Sequence, residues 1–135
     1  MGTADYMAPE VIKGEEVSVL MDFWSLGILA FEFLTGNLPF NSDTPEEIFN
    51  KILNMPINMP EVGVEEGQVH PDAKDFLEKL LKRDPSKRLG AKKGIREIKE
   101  HPFFTGINWK TLIKEVAPWV PPPLKDLDMS NFPKA

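Results

Sequence analysis

The sequence of 135 residues contains no cysteine, two histidines and one tyrosine. The absence of cysteine excludes disulfides and thiolate-based metal or redox sites within these residues. The longest uncharged apolar run, Phe23 to Phe31, is about half of the roughly 20 residues that a membrane-spanning helix needs, so no membrane span is expected. The sequence also shows no signal-peptide pattern, and together these features favour a cytoplasmic location, with the nucleus as the alternative.

Basic side chains are scarce in the first half of the chain. Residues 1–71 carry 12 acidic and 2 basic side chains, residues 72–100 carry 6 and 10, and residues 101–135 carry 3 and 4. An acidic surface attracts cationic partners and repels nucleic acid and anionic membranes. The first half is therefore predicted to bind a cationic partner, unless its charges form only an ordinary solvated surface.

Several familiar catalytic motifs are missing. The sequence has no phosphate-cradling glycine loop, no His-Glu-x-x-His and no Gly-x-Ser-x-Gly. His70 and His101 each precede a proline at a loop or helix end, without an evident catalytic partner. Both histidines are therefore predicted to be structural or surface residues, and no metal site is expected.

The most apolar stretch, residues 18–35, predicts a buried central helix. It is hydrophobic on nearly every side, with Ser18 as a plausible N-cap and Gly36 as the stop. It also carries two carboxylates, Asp22 and Glu32. Because an unpaired buried carboxylate is costly, Asp22 is expected either to have dedicated hydrogen-bond donors or simply to occupy a first turn, where the helix dipole favours it.

A helix that is apolar all round needs cover on every side. Residues 40–113 offer only about three further helices for this purpose, so one side of the central helix is expected to stay exposed. The two stripes that compete for cover are Phe23, Leu26, Ala30 and Phe33, and Trp24, Ile28 and Phe31.

The rest of the chain predicts shorter helices separated by long loops. Proline at the first helical position and capping residues mark their starts. No segment shows the alternation of a strand, so the fold class is predicted to be mainly α, with a proline-rich extended tail at 120–123. The predicted starts are Pro9, Pro45 after a capping Asp43 or Thr44, Pro71, and Ile95.

A series of motifs resembles the eukaryotic protein kinase fold. Their order is the same as in that family, they cover essentially the whole chain, and Ala-Pro-Glu belongs to the kinase signature set. They are Gly2-Thr3-x-x-Tyr6-x-Ala8-Pro9-Glu10, Asp22-x-Trp24-Ser25-Leu26-Gly27, Gly36-x-x-Pro39-Phe40, Arg88-Leu89-Gly90 and His101-Pro102-Phe103-Phe104. The resemblance implies a helical C-terminal lobe of the kinase-like fold in residues 1–104, without the N-lobe and catalytic loop, and an incomplete C-terminal extension in residues 105–135.

Within the kinases, the chain resembles the AGC group of Ser/Thr kinases. Arg-Leu-Gly, His-Pro-Phe-Phe and Asn108-Trp109 before the proline-rich tail carry this similarity, whereas residues 43–49 and 128–132 look most like the microtubule-associated and Greatwall-like branch. The resemblance implies ATP-dependent phosphoryl transfer to Ser or Thr in protein substrates that have basic residues upstream of the acceptor. No nucleic-acid partner is expected, because the first half of the chain is acidic.

The resemblance also suggests roles for residues near the start of the chain. In the family, Thr3 approaches the catalytic aspartate, and Tyr6 and Met7 line the pocket for the substrate residue that follows the phosphoacceptor. Position 4 is usually proline, and Ala4 therefore implies a wider pocket.

Three further roles follow from the resemblance. Glu10 is expected to pair with Arg88 as a structural ion pair. Asp22 in the family accepts hydrogen bonds from the backbone of the catalytic loop, and Glu32 contacts a basic residue upstream of the phosphoacceptor.

The kinase motifs that hold ATP and Mg²⁺, and the catalytic loop, are expected before residue 1. No catalytic residue is assigned to this chain, and no cofactor is expected for the chain alone, whereas ATP and Mg²⁺ are implied for the complete kinase. The chain alone is expected to be inactive and to need its missing N-terminal half or a chaperone as partner. The alternatives are a pseudokinase-like peptide- or protein-binding module and a non-functional gene fragment.

Overall fold

The computed structural model describes residues 3–111, without the side chain of Thr3. Within this range the α-helices are α1 (Pro9–Ile12), α2 (Leu20–Thr35), α3 (Pro45–Asn54), α4 (Pro71–Leu80) and α5 (Ile95–Lys99). Short 3-10 helices cover Thr3–Tyr6, Pro85–Lys87 and Pro102–Phe104. The β pairing in the described range is one isolated bridge between Val62 and Val69. The predicted mainly helical fold class is confirmed.

The chain divides into two units, Met1–Thr105 and Gly106–Ala135. All of the helices above belong to the first unit. In the second unit the described residues end in a turn, in which the Thr111 amide donates to the Asn108 carbonyl at 3.2 Å. Gly2, the proline-rich segment 120–123 and the motif at 128–132 lie outside the described residues.

The central helix α2 begins later than the sequence predicted. Its N-cap position is held by Val19, which already has helical φ and ψ of −56° and −20°. The predicted N-cap Ser18 is therefore one residue too early, although its Oγ accepts a hydrogen bond of 3.2 Å from the Leu20 amide. The predicted stop is confirmed, because Gly36 follows the last turn in the left-handed conformation with φ 78°.

Local capping explains where α3 and α4 begin. The Thr44 hydroxyl accepts from the Glu47 amide at 3.3 Å, and a proline follows at the first helical position. At the start of α4 the ring Nδ1 of His70 accepts from the Asp72 amide at 3.0 Å. His70 is thus a structural residue on the surface, as the sequence suggested.

One face of α2 builds the main core. Its buried residues Trp24, Ile28 and Phe31 contact apolar side chains from α3, α4 and the loop after α2. The Trp24 and Phe40 rings stack with centroids 6.3 Å apart. The partners of α2 in this core are Ala8, Phe40, Ile48, Ile52, Leu77 and Leu81.

The opposite side of α2 is only partly exposed. Phe23 is buried in a second core with Phe76, Leu80, Leu89 and Ile98. Leu26 and Ala30 are half-buried, whereas Phe33 is 79% exposed and Leu29 is 38% exposed. The expectation of an exposed stripe is therefore right at Phe33 and wrong at Phe23, which the loop carrying Leu89 covers.

No helix among the described residues is long and apolar enough to cross a membrane.

Candidate functional site

The first ten residues are attached to the helical body by one buried ion pair. The guanidinium of Arg88 donates from Nη1 to Glu10 Oε2 at 2.7 Å and from Nη2 to Glu10 Oε1 at 2.9 Å. The Arg88 side chain is fully buried and the Glu10 side chain is 3% exposed. Arg88 also donates to the carbonyls of Leu20 at 2.7 Å and Lys82 at 3.0 Å. One guanidinium therefore links α1, the start of α2 and the segment after α4.

The charge of Glu10 is maintained despite its burial. Burial raises the pKa of a carboxyl group, but the hydrogen bonds from Arg88 and a backbone amide, together with the nearby charges of Arg88 and Lys13, hold the pKa of Glu10 below its ordinary value. The Arg88 guanidinium also lies 5.3 Å from the centroid of the Trp24 ring, within cation–π range. The pair is thus ionised, and one aromatic ring lies beside its guanidinium.

Two hydrogen bonds attach the first 3-10 helix to α2. The Tyr6 hydroxyl donates to Glu32 Oε1 at 3.3 Å, and the Ser25 hydroxyl donates to the Tyr6 carbonyl at 2.9 Å. Partial burial, the negative charge and hydrogen bond of Glu32, and the charge of Asp5 raise the pKa of Tyr6 above its ordinary value. Tyr6 therefore stays a neutral hydrogen-bond donor to Glu32.

Two cavities border this segment. One of about 190 Å³ is lined by Tyr6, Met7, Asp22 and neighbouring residues of α1 and α2. A separate cavity of about 360 Å³ between the first 3-10 helix and α3 is lined by residues that include Ala4 and Asp5. The structure thus brings Tyr6, Met7 and Asp22 to one cavity and places Ala4 at another, while the side chain of Thr3 lies outside the described residues.

Asp22 lies in the first turn of α2 and is exposed. The helix dipole favours a carboxylate at this first-turn position. Its carboxylate borders the smaller cavity.

A second polar cluster was not predicted from the sequence. His101 Nε2 lies 2.7 Å from Asp75 Oδ2, and Nδ1 accepts from the Phe103 amide at 3.0 Å, so the proton of the neutral ring is assigned to Nε2. A hydrogen bond from Lys79, and to a lesser extent one from His101, holds the pKa of Asp75 below its ordinary value. His101 is structural, as predicted. Its partner could not be found from the sequence, because Asp75 looks like any charged residue on the face of α4.

Arg83 is a further residue that sequence reasoning missed. Its Nε donates to the Ile52 carbonyl at 2.6 Å, and its Nη2 donates to the Met55 carbonyl. These carbonyls lie at the C-terminal end of α3, where a cation is favoured by the helix dipole. Arg83 is one of several basic residues in this part of the sequence, and no sequence feature distinguishes it from the others.

The described residues hold no cluster of potential metal ligands. Residues 3–111 contain no group of three or more His, Asp or Glu side chains that could hold a metal ion. No metal ligand is therefore assigned among the described side chains.

The buried Glu10–Arg88 pair, the Tyr6–Glu32 contact and helices α1 to α5 all lie within the segment that a family model matches. Residues 1–104 match the protein kinase domain family. The chain belongs to the protein kinase family.

Its relatives are serine/threonine kinases. The chain is 47% identical over 133 residues to serine/threonine-protein kinase cek1 of Schizosaccharomyces pombe, covering 98% of this chain and 10% of the relative. It is 48% identical over 124 residues to serine/threonine-protein kinase RIM15 of Saccharomyces cerevisiae, covering 89% and 7%. It is 42% identical over 132 residues to serine/threonine-protein kinase greatwall of Danio rerio, covering 98% and 14%. The chain thus spans only a small part of the length of these curated relatives.

Proposed function

We propose that this chain supplies the substrate-positioning loop and the C-terminal-lobe scaffold of a Ser/Thr protein kinase of the AGC group, most similar to its microtubule-associated and Greatwall-like branch. The observation that carries the proposal is the buried Glu10–Arg88 pair, which holds the start of the chain against the helical body. In this proposal residues 1–104 are the partial kinase domain and residues 105–135 the C-terminal extension. The complete kinase would transfer the γ-phosphoryl group of ATP, with Mg²⁺, to a protein hydroxyl.

The proposed work of this chain is to bind and orient the substrate peptide. Tyr6 and Met7, with Ala4 nearby, would border the residue that follows the phosphoacceptor. The hydrogen bond from Tyr6 engages Oε1 of Glu32, so Oε2 can accept from a cationic side chain upstream of the acceptor. Asp22 would anchor the backbone of the catalytic loop in the complete domain. If these groups are held in place, the bound substrate has lost its orientational freedom before the reaction begins. The activation barrier then no longer includes that loss of entropy.

A chimeric kinase tests this proposal. The chain would replace the matching segment of the cek1 kinase, and phosphorylation of a serine peptide would be measured with and without arginines upstream of the serine. We expect activity, and we expect Glu32→Gln to raise KM for the arginine peptide more than for the arginine-free peptide. Glu61→Gln, in an exposed loop, is the matched control. A folded chimera without activity would contradict the proposal.

The 135 residues alone are proposed to be inactive. Phosphoryl transfer needs a phosphate-gripping lysine, positioned Mg²⁺ and a base aspartate, and the sequence holds none of the motifs that supply them. We expect no transfer of labelled phosphate to a basic peptide and no measurable ATP affinity. Robust labelling by the purified chain would disprove this.

A peptide-binding module is the second candidate function. It is favoured by the attachments of the positioning segment, because Arg88, Ser25 and Glu32 all belong to this chain. On this hypothesis the isolated chain would bind an arginine-rich peptide without catalysis. Fluorescence anisotropy with a labelled peptide would test it, and absence of binding at low salt would exclude it.

A further inference from the structure

The sequence contains a single position at which a serine or threonine directly precedes a proline, Thr44-Pro45. Proline after the acceptor is the feature that proline-directed protein kinases read. It has a physical basis, because proline lacks an N–H group and restricts the preceding residue to extended conformations. The chain therefore offers one such acceptor.

The structure presents Thr44 in a suitable form. Its backbone is extended, with φ −124° and ψ 149°, and its side chain is exposed just before α3. The hydroxyl accepts one long hydrogen bond, 3.3 Å from the Glu47 amide. A kinase can therefore reach this hydroxyl without unfolding the body of α3.

The surroundings of Thr44 indicate what a phosphate there would change. Thr44 lines the cavity of about 360 Å³ that Ala4, Asp5 and Asp43 also border. A phosphothreonine carries about −1.5 to −2 charges at neutral pH. Because two of these neighbours are already acidic, the added charge would strengthen the negative potential of this cavity rather than neutralise it.

We propose that Thr44 is an acceptor for a proline-directed protein kinase, and that phosphate at Thr44 makes the cavity beside Ala4 and Asp5 more attractive to cationic peptides. In the modification, the Thr44 hydroxyl oxygen forms a bond to the γ-phosphorus of ATP. The bond from that phosphorus to the β–γ bridging oxygen breaks and ADP leaves. The hydroxyl proton passes to the base of the modifying kinase.

The modification is tested on the full 135-residue chain with a proline-directed kinase and ATP. Intact mass and peptide mapping should show one phosphate, at Thr44. Thr44→Ala should abolish it, Thr44→Ser should retain it, and Pro45→Ala should lose it while the capping hydroxyl remains. Ser42→Ala, two residues away and not followed by proline, is the matched control and should be labelled normally.

Labelling elsewhere, or only after heat unfolding, would overturn the proposal. Persistent labelling of Pro45→Ala would show that recognition does not depend on Pro45 and would likewise overturn it.

The effect on the cavity is tested by binding of a labelled hexa-arginine peptide to the two forms of the chain. We expect the phosphorylated form to bind several-fold more tightly at low salt, and we expect the difference to shrink at high salt because the charges are exposed to solvent. Equal affinities would overturn the proposed effect. The binding effect depends on the proposed peptide-positioning function, whereas the mapping of the phosphate does not. If neither form binds the peptide, both that function and the proposed effect of phosphorylation are contradicted. Phosphorylation at Thr44 is then still decided by the mass mapping alone.

Discussion

Arg88 connects several segments near the proposed site through the hydrogen bonds of its buried guanidinium. Two buried charges lose their hydration, and a buried ion pair is favourable only if its remaining hydrogen-bonding groups are also satisfied. Arg88 meets this condition because its guanidinium binds both oxygens of Glu10 and three backbone carbonyls. Removing one partner would leave the other charge buried without compensation.

We therefore expect Arg88→Ala to lower the free energy of unfolding by about 3–5 kcal/mol, compared with about 0–1 kcal/mol for an exposed pair. Arg88→Lys should recover only part of this loss, because lysine lacks the planar fork. Urea denaturation gives the values. Arg96→Ala, which removes an exposed pair with Glu100, is the matched control. An unchanged urea midpoint in Arg88→Ala would show that the pair contributes little.

The same pair predicts a loss of stability in acid. The pKa of Glu10 in the folded chain lies below its ordinary value of 4.5. The unfolded chain therefore binds a proton first as the pH falls, so the stabilisation is complete above about 4.5 and is lost as the pH falls through the folded pKa. A carboxyl carbon NMR titration of Glu10 measures this directly. A midpoint at or above 4.5 would contradict the prediction.

Sequence separation explains why this pair could be expected only through the kinase resemblance. Glu10 and Arg88 are 78 positions apart, and no periodicity connects two such residues. Asp75 and His101 are also distant in sequence and had no motif to link them, so their contact was missed. A charged residue on a helix face shows its charge in the sequence but not its partner.

Helix ends were the most predictable elements. Thr44-Pro45, His70-Pro71 and Gly36 act on backbone groups within a few residues, so local sequence is enough to place them. The burial of α2 was less predictable, because it depends on distant segments. Phe23 is covered by the loop at Gly90, where an added Cβ would lie 2.4 Å from the Phe23 ring.

The contact between α2 and α4 depends on Gly27. A Cβ at this position would lie 2.8 Å from Leu81 Cδ2 and 3.0 Å from Leu80 Cβ, so the two helices approach each other closely. Gly27→Ala improves helix propensity by about 1 kcal/mol, but overpacking of a core typically costs about 1–3 kcal/mol. We expect a net loss of stability in thermal or urea unfolding. Leu29→Ala, on the exposed side of α2, is the control, and a stabilised Gly27→Ala chain would show that α4 can move away without cost.

One face of α2 is not covered by any of the described residues. Leu29 and Phe33 are exposed, and Leu26, on the same face, is half-buried. An exposed apolar face of this kind favours contact with a partner surface, and it belongs to a chain that spans only a small fraction of its relatives' length.

For the isolated chain, this face predicts binding of a hydrophobic dye and concentration-dependent self-association. The double substitution Leu29→Ser with Phe33→Ser should reduce both. Because neither side chain belongs to a core, each change should alter the free energy of unfolding by no more than about 0.5 kcal/mol. Val64→Ser is the matched control, since Val64 is a fully exposed apolar residue in a loop outside α2. Dye fluorescence and sedimentation velocity provide the measurements. A monomer that binds no dye and unfolds sharply at every concentration would contradict the prediction, and it would favour a self-sufficient binding module over one part of a larger kinase domain.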